Sequence, residues 1–448
     1  MAISPLDSTL YSGLFGDSEV ANLLSDEAEL RAMVEVEIAL ARVQARHGLI
    51  SAEAAKVVEN TLSGVEIDPK VFLLATTSAG VPVPGLVAKL REISGGSAAD
   101  SLHFGSTSQD IVDTGLMLRL KRIIGLFEHR LKSLVGDISA LAREHRATPM
   151  AARTRGQMAT PISFGLRAAN WARDLARELH ALREIAENGL FLQFGGASGD
   201  LAAMSKDRAL LRRIEADLAG DLGLKSSAPW MTGRAPFLDI ATRFTAITNT
   251  TAKIGADVLI GTRSEIGEFD LADSGGSSTM PQKKNPVKAE VLVALARLNA
   301  SLLGALAATG VHAEERDGAS WMGEWLTLPQ IAAATGASLL RAQELISGLK
   351  PDLERMKAAI DASNGLMLAE AASFALMEHM PRSEAQALVK KAANSVRYSG
   401  KHLLDEIRHL TDAKVDWDAL RSSVKTADAA ADMTDRLLEE AEIPLIES

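Results

Sequence analysis

Ser274-Gly275-Gly276-Ser277-Ser278-Thr279-Met280-Pro281-Gln282-Lys283-Lys284-Asn285-Pro286 joins two long apolar segments and combines glycines, hydroxyls, two lysines and two prolines. This composition predicts a loop that can move, presents many backbone N–H donors and carries positive charge. Asn285 suits a helix cap and Pro286 the first helical position, so a helix is expected immediately after it. Donors, a helix N-terminus and lysines in one place suit a carboxylate or a developing enolate. Glycine and serine alone would describe a mobile surface loop equally well. The ordered run Gly-Ser-Ser-x-Met-Pro-x-Lys-x-Asn-Pro is far more specific.

Helical periodicity dominates on both sides of this loop. Ile111, Leu116, Leu120, Ile124, Phe127, Leu131, Leu134, Ile138 and Leu141 fall mostly at three- and four-residue steps, predicting a helix over about 110–145. Further long helical patterns cover about 162–188, 235–266, 286–311 and 326–349. Strand-like alternation is scarce. Helices of this length side by side predict an all-α fold built on an elongated bundle. The expected divisions are an N-terminal helical domain at about 1–110, the bundle with its loop 274–286 at about 111–360, and a C-terminal helical domain at about 361–448. Ala294, Ala296, Ala300, Ala305, Ala307 and Ala308 permit close packing, and several bundle helices are apolar around most of their circumference, which points to oligomerisation.

The chain has 448 residues, 47% apolar and 24% charged, as expected of a globular protein with a large core. It has no cysteine, which excludes disulfides, thiolate nucleophiles and cysteine metal sites and fits a reducing compartment. A net charge of −10 argues against a nucleic-acid surface, so an anionic substrate would need a local cationic pocket. The stretch Met1-Ala2-Ile3-Ser4-Pro5-Leu6-Asp7 lacks the basic and apolar regions of a secretory signal. The most membrane-like run, 291–310, carries Arg297 and Asn299 near its middle and is read as a buried bundle helix.

Five further clusters carry candidate chemistry. His103-Phe104-Gly105-Ser106-Thr107-Ser108-Gln109-Asp110 stands before the longest helix, where Thr107 or Ser108 can cap and Asp110 and Asp113 favour the first turn. His103 reads as structural or as a substrate contact. Ala151-Ala152-Arg153-Thr154-Arg155-Gly156-Gln157 precedes another long helix, and Arg155 offers a fork for a carboxylate. Gln193-Phe194-Gly195-Gly196 is a glycine turn. Pro229-Trp230-Met231-Thr232-Gly233-Arg234 pairs a hydroxyl with a cation. His312-Ala313-Glu314-Glu315-Arg316 and Trp321-Met322-Gly323-Glu324-Trp325 follow a bundle helix. No histidine or carboxylate spacing supports a metal site.

Together these strings resemble the fumarase/aspartase superfamily, which includes argininosuccinate and adenylosuccinate lyases as well as cycloisomerases. The resemblance covers nearly the whole chain and is closest to the cycloisomerase branch. It implies a three-domain all-α fold, a cytoplasmic homotetramer with active sites shared between subunits, and no cofactor, metal, nucleic acid or membrane. It also implies addition to, or elimination across, a carbon–carbon bond next to a carboxylate of a small polycarboxylate. Residue by residue, it makes Ser277 the proton carrier, with Lys283 and Asn285 holding the carboxylate. His103, Thr107, Ser108, Arg153, Thr154, Arg155, Gln157, Thr232, Arg234, Ser278, Met280 and Arg316 would bind substrate. The lyases commonly read Thr-His-x-Gln where this chain reads Thr154-Arg155-Gly156-Gln157. Arginine cannot protonate a leaving nitrogen, whereas a carboxylate nucleophile needs no such donor. The first expectation is therefore closure of an anionic muconate to its lactone in aromatic catabolism, the substrate being a carboxylate or a related sulfonate. The alternative is a fumarate-releasing lyase.

Overall fold

The computed structural model describes residues 4–272, 275, 276, 280 and 283–446, apart from the side chains of Lys425 and Thr426. Five long helices carry the fold: Ser108–Glu144, Phe164–Asn188, Ala235–Gly261, Val287–Ala308 and Gly318–Gly348. The first is closed at its start by a reciprocal cap. The Thr107 N–H donates to Asp110 Oδ2 at 3.0 Å, and the Asp110 N–H donates to Thr107 O at 3.0 Å. Contacts divide the chain into two units, and this division cuts across the three segments expected from sequence.

The first unit comprises residues 1–130, 178–249 and 294–340. Its centre is apolar, with Phe127 packed edge-on to Phe244 at 5.0 Å. Asn299 is fully buried there and donates to Thr335 Oγ1 at 3.0 Å and to Ile331 O at 3.3 Å. Such a bonded polar group fixes the register of two otherwise apolar helices, because any slip would strand it without a partner.

The second unit comprises residues 131–177, 250–293 and 341–448. Strands Pro149–Thr154 and Gln157–Ser163 form an antiparallel hairpin that the helical reading did not contain. Arg155 (φ 51°) and Gly156 (φ 78°) turn it, the left-handed pair that a two-residue hairpin loop requires. A register shift between Ala151 and Arg153 breaks the period-two pattern, which hides these strands in the sequence. Phe269–Leu271 pairs antiparallel with Leu349–Pro351. A Cβ on Gly261 would lie 2.1 Å from Phe269 Cδ2, so a glycine there lets the ring dock and reach Phe164 at 5.3 Å. Leu376, Val389, Leu403, Leu404, Ile407 and Trp417 form a separate C-terminal core.

Val287–Ala308 is long and apolar enough to cross a membrane by length and composition alone, and 33% of its most apolar window is buried. Expected to be buried, it is covered along one face only. Leu292, Leu295, Asn299 and Leu306 are buried, while Ala294, Leu298, Ala305 and Ala308 are exposed.

Candidate active site

In the first unit four of the sequence clusters converge on Asp110. This side chain is 1% exposed. Its Oδ1 accepts from Gln193 Nε2 at 3.1 Å and the Gly195 N–H at 2.8 Å; its Oδ2 accepts from the Gly196 N–H at 2.9 Å and the Thr107 N–H at 3.0 Å. Burial pushes its carboxyl up to about 6, against the opposing pull of these four donors. Gln193 Oε1 in turn accepts the Trp230 N–H at 2.9 Å. The hydroxyl loop, the glycine turn and the tryptophan segment are thus tied to one carboxylate.

Arg316 completes this cluster. Its Nε donates to Gln109 Oε1 at 3.0 Å, and one terminal nitrogen donates to Thr107 Oγ1 and Ala197 O, both at 3.2 Å. Thr107 is therefore placed by Asp110 on its backbone and by Arg316 on its side chain. Ser108 and Thr232 lie beside these groups in the chain and are half-buried.

Arg234 departs from the expected role. It is 4% exposed, and its fork closes on Glu324 at 2.8 and 2.6 Å while its other terminal nitrogen donates to Asp113 Oδ2 at 2.7 Å. Burial works against its charge, but the two carboxylates win and hold the guanidinium more firmly charged than usual. The Trp230 and Phe237 rings flank it at 4.8 and 5.0 Å. Asp113 also accepts from Trp321 Nε1 at 2.9 Å and Gln109 Nε2 at 3.2 Å. Glu324 and Asp113, both distant in sequence, thus supply the support of Arg234. A cation so enclosed holds the scaffold rather than a ligand. His312 lies 3.6 Å from Glu324, and burial together with the Arg234 charge lowers its pKa.

In the second unit Arg153 shows the same departure. Its two terminal nitrogens donate to Glu268 at 2.7 and 2.8 Å, and Glu268 is fully buried. This pair ties the hairpin to the strand leading into the 274–286 loop. Beyond it, Thr154, Arg155 and Gln157 are exposed at the hairpin tip. Gly275 pairs with Asn285 and Gly276 with Lys284, so the described ends of the loop form a two-rung ladder. A Cβ on Gly275 would meet Val287 Cγ2 at 2.8 Å, which explains a glycine there. Lys284 is held by Asp270 at 3.0 Å, while Lys283 and Met280 are exposed and Asn285 is half-buried. The helix begins at Val287, one residue later than expected. Ser277 and Ser278 lie outside the described residues.

Glu268, Glu37 and Arg167 were missed by sequence reasoning. Arg167 is half-buried, with no ion pair among the described residues, and burial together with nearby Arg153 lowers its pKa. Each is an ordinary charge in an amphipathic helix or loop, and only its burial distinguishes it.

A lyase family model matches residues 8–298. A 3-carboxy-cis,cis-muconate cycloisomerase of Bradyrhizobium diazoefficiens is 35% identical over 456 residues, 98% of this chain and 99% of that one. A nitrosuccinate lyase of Streptomyces davaonensis is 33% identical over 455 residues, 96% of this chain and 94% of that one. The crystal structure of a 3-carboxy-cis,cis-muconate lactonizing enzyme from Pseudomonas putida has a TM-score of 0.88 at 31% identity, covering 97% of this chain and 99% of that chain. The chain belongs to the lyase family and is an enzyme of the fumarase/aspartase superfamily.

Proposed function

We propose that the chain is a 3-carboxy-cis,cis-muconate cycloisomerase. The observation that carries this reading is full-length likeness to cycloisomerases, together with Arg155 at the hairpin tip. A carboxylate oxygen of the substrate adds to a double bond. The new C–O bond displaces the π electrons onto the carbon beside a second carboxylate, whose oxygens take the charge. Ser277 then gives a proton to that carbon and its alkoxide regains one from water, and the product is the lactone, an isomer of the substrate acid. Lys283, Asn285 and the following helix N-terminus would stabilise both the carboxylate charge and the serine alkoxide.

Arg155 would align an acidic group for ring closure. Thr107, Ser108, Thr232, Ser278, Met280, Thr154, Gln157 and Arg316 would contact the substrate, and Arg153 and Arg234 would hold the elements that present them. Assembly belongs to the same proposal. The exposed stripe Ala294, Leu298, Ala305 and Ala308 supports a homotetramer whose sites combine subunits, within the cytoplasm and without a cofactor. The segments 1–110, 111–360 and 361–448 are its three domains.

The test is a substrate panel on the purified protein. Loss of the conjugated-diene absorbance of 3-carboxymuconate, with no fumarate from adenylosuccinate or argininosuccinate, is the expected outcome. The likeness to a nitrosuccinate lyase favours a second reading, elimination from a succinyl substrate. Fumarate release without muconate turnover would establish that reading and overturn the first.

A further inference from the structure

Glu37 lies inside the Asp26–Arg46 helix and is 1% exposed. A carboxylate withdrawn from water needs donors. Among the described residues its partner is His103, whose Nδ1 lies 2.6 Å from Oε1, while Oε2 has none. The His103 backbone is left-handed (φ 64°), a conformation that a non-glycine residue keeps only when its surroundings enforce it. Those surroundings are visible. Gln44, two helical turns beyond Glu37, is fully buried and donates Nε2 to Phe104 O at 2.7 Å. Gly105 (φ 73°) has no room for a side chain, since a Cβ would meet Met204 Cβ at 2.7 Å. Two residues on, the same loop delivers Thr107 to Arg316.

We propose that Glu37 is a positioning residue for the active site, which accepts the Nδ1–H of His103 and so presents His103 Nε2 to the anionic substrate. The inference rests on the 103–108 segment belonging to the substrate site. A carboxylate on one ring nitrogen fixes both the tautomer and the ring plane. Nε2 has no partner among the described residues. Donation to a substrate carboxylate requires a proton on Nε2 as well as on Nδ1, and Glu37 balances the charge that this adds.

The test has two arms. Nitrogen NMR of histidine-labelled wild-type protein reads the ring directly, and a proton held on Nδ1 of His103 is expected. This arm needs neither a variant nor a substrate, so it stands if the proposed reaction is wrong. In the kinetic arm, run on whichever acid the protein turns over, Glu37→Gln should lower kcat/KM about 10- to 100-fold. His103→Ala should do the same, and the double variant should be no worse than His103→Ala alone. A wild-type ring protonated only on Nε2, or losses that multiply in the double variant, would overturn the proposal.

Discussion

Arg234 and Arg155 both stand in short polar strings beside long helices, yet the structure treats them oppositely. Arg234 is enclosed by two carboxylates and two aromatic rings; Arg155 stands exposed on a hairpin turn. The Arg234 charge is thus internal and holds loops of the first unit in place. The second unit leaves Arg155 and Lys283 facing outward. Charge type and motif do not separate these situations; burial and partners do. A buried ion pair resists the removal of one member, because the other is left without compensation, whereas an exposed cation can be replaced at little structural cost.

The contrast can be broken most sharply at Ser277. Replacing it by alanine should lower kcat about a thousandfold, with the urea midpoint unchanged, and near-normal turnover would remove it as proton carrier. Next comes Arg234→Met, which leaves Asp113 and Glu324 buried without their cation. It should cost roughly 3–5 kcal/mol of unfolding free energy, measured in urea, and a variant as stable as wild type would mean that Arg234 is not structural. Arg155→Asn should do the reverse. Asparagine tolerates the left-handed turn, so melting should be unchanged, while KM rises roughly tenfold as a charged contact is lost. Unchanged kinetics would reduce Arg155 to a turn residue.

The smallest effect is a pH step at Asp110. Its folded-state value of about 6 lies above the ordinary 3.8, so between these values the folded chain keeps a proton that the unfolded chain has released. The stability this group contributes is fully present below 3.8 and is lost as pH rises through about 6. Positioning of Thr107 runs the other way, since only the carboxylate can accept from all four N–H donors. The ratio kcat/KM should therefore fall as pH drops through about 6, and Asp110→Asn should flatten that step.

The long helices were legible because their apolar positions repeat over many turns, as in the 108–144 segment. The hairpin was not, because its bulge at 151–153 spoils the alternation and Pro161 sits within its second strand. The motif strings around Thr107, Arg155 and Asn285 could be read locally. The roles of Arg153 and Arg234 could not, because Glu268 lies 115 residues from the one and Glu324 lies 90 residues from the other. Glu37 was hidden for a related reason: among the alternating charges of its helix, nothing in the chain marks the one carboxylate that folding turns inward.

The tryptophans around Arg234 also give the protein an optical handle. The chain has five, and Trp230, Trp321 and Trp325 lie in the first unit, the first two buried and the third half-buried. Trp230 lies 4.8 Å from the Arg234 guanidinium, Trp321 donates to Asp113, and the Trp321 and Trp325 rings meet at 4.9 Å. Indole emission responds to a charge held against the ring, so the Trp230 contribution reports on Arg234. Excitation at the red edge of indole absorption would then follow the charge network in unlabelled protein, and a single Trp230→Phe exchange would identify its share of the signal.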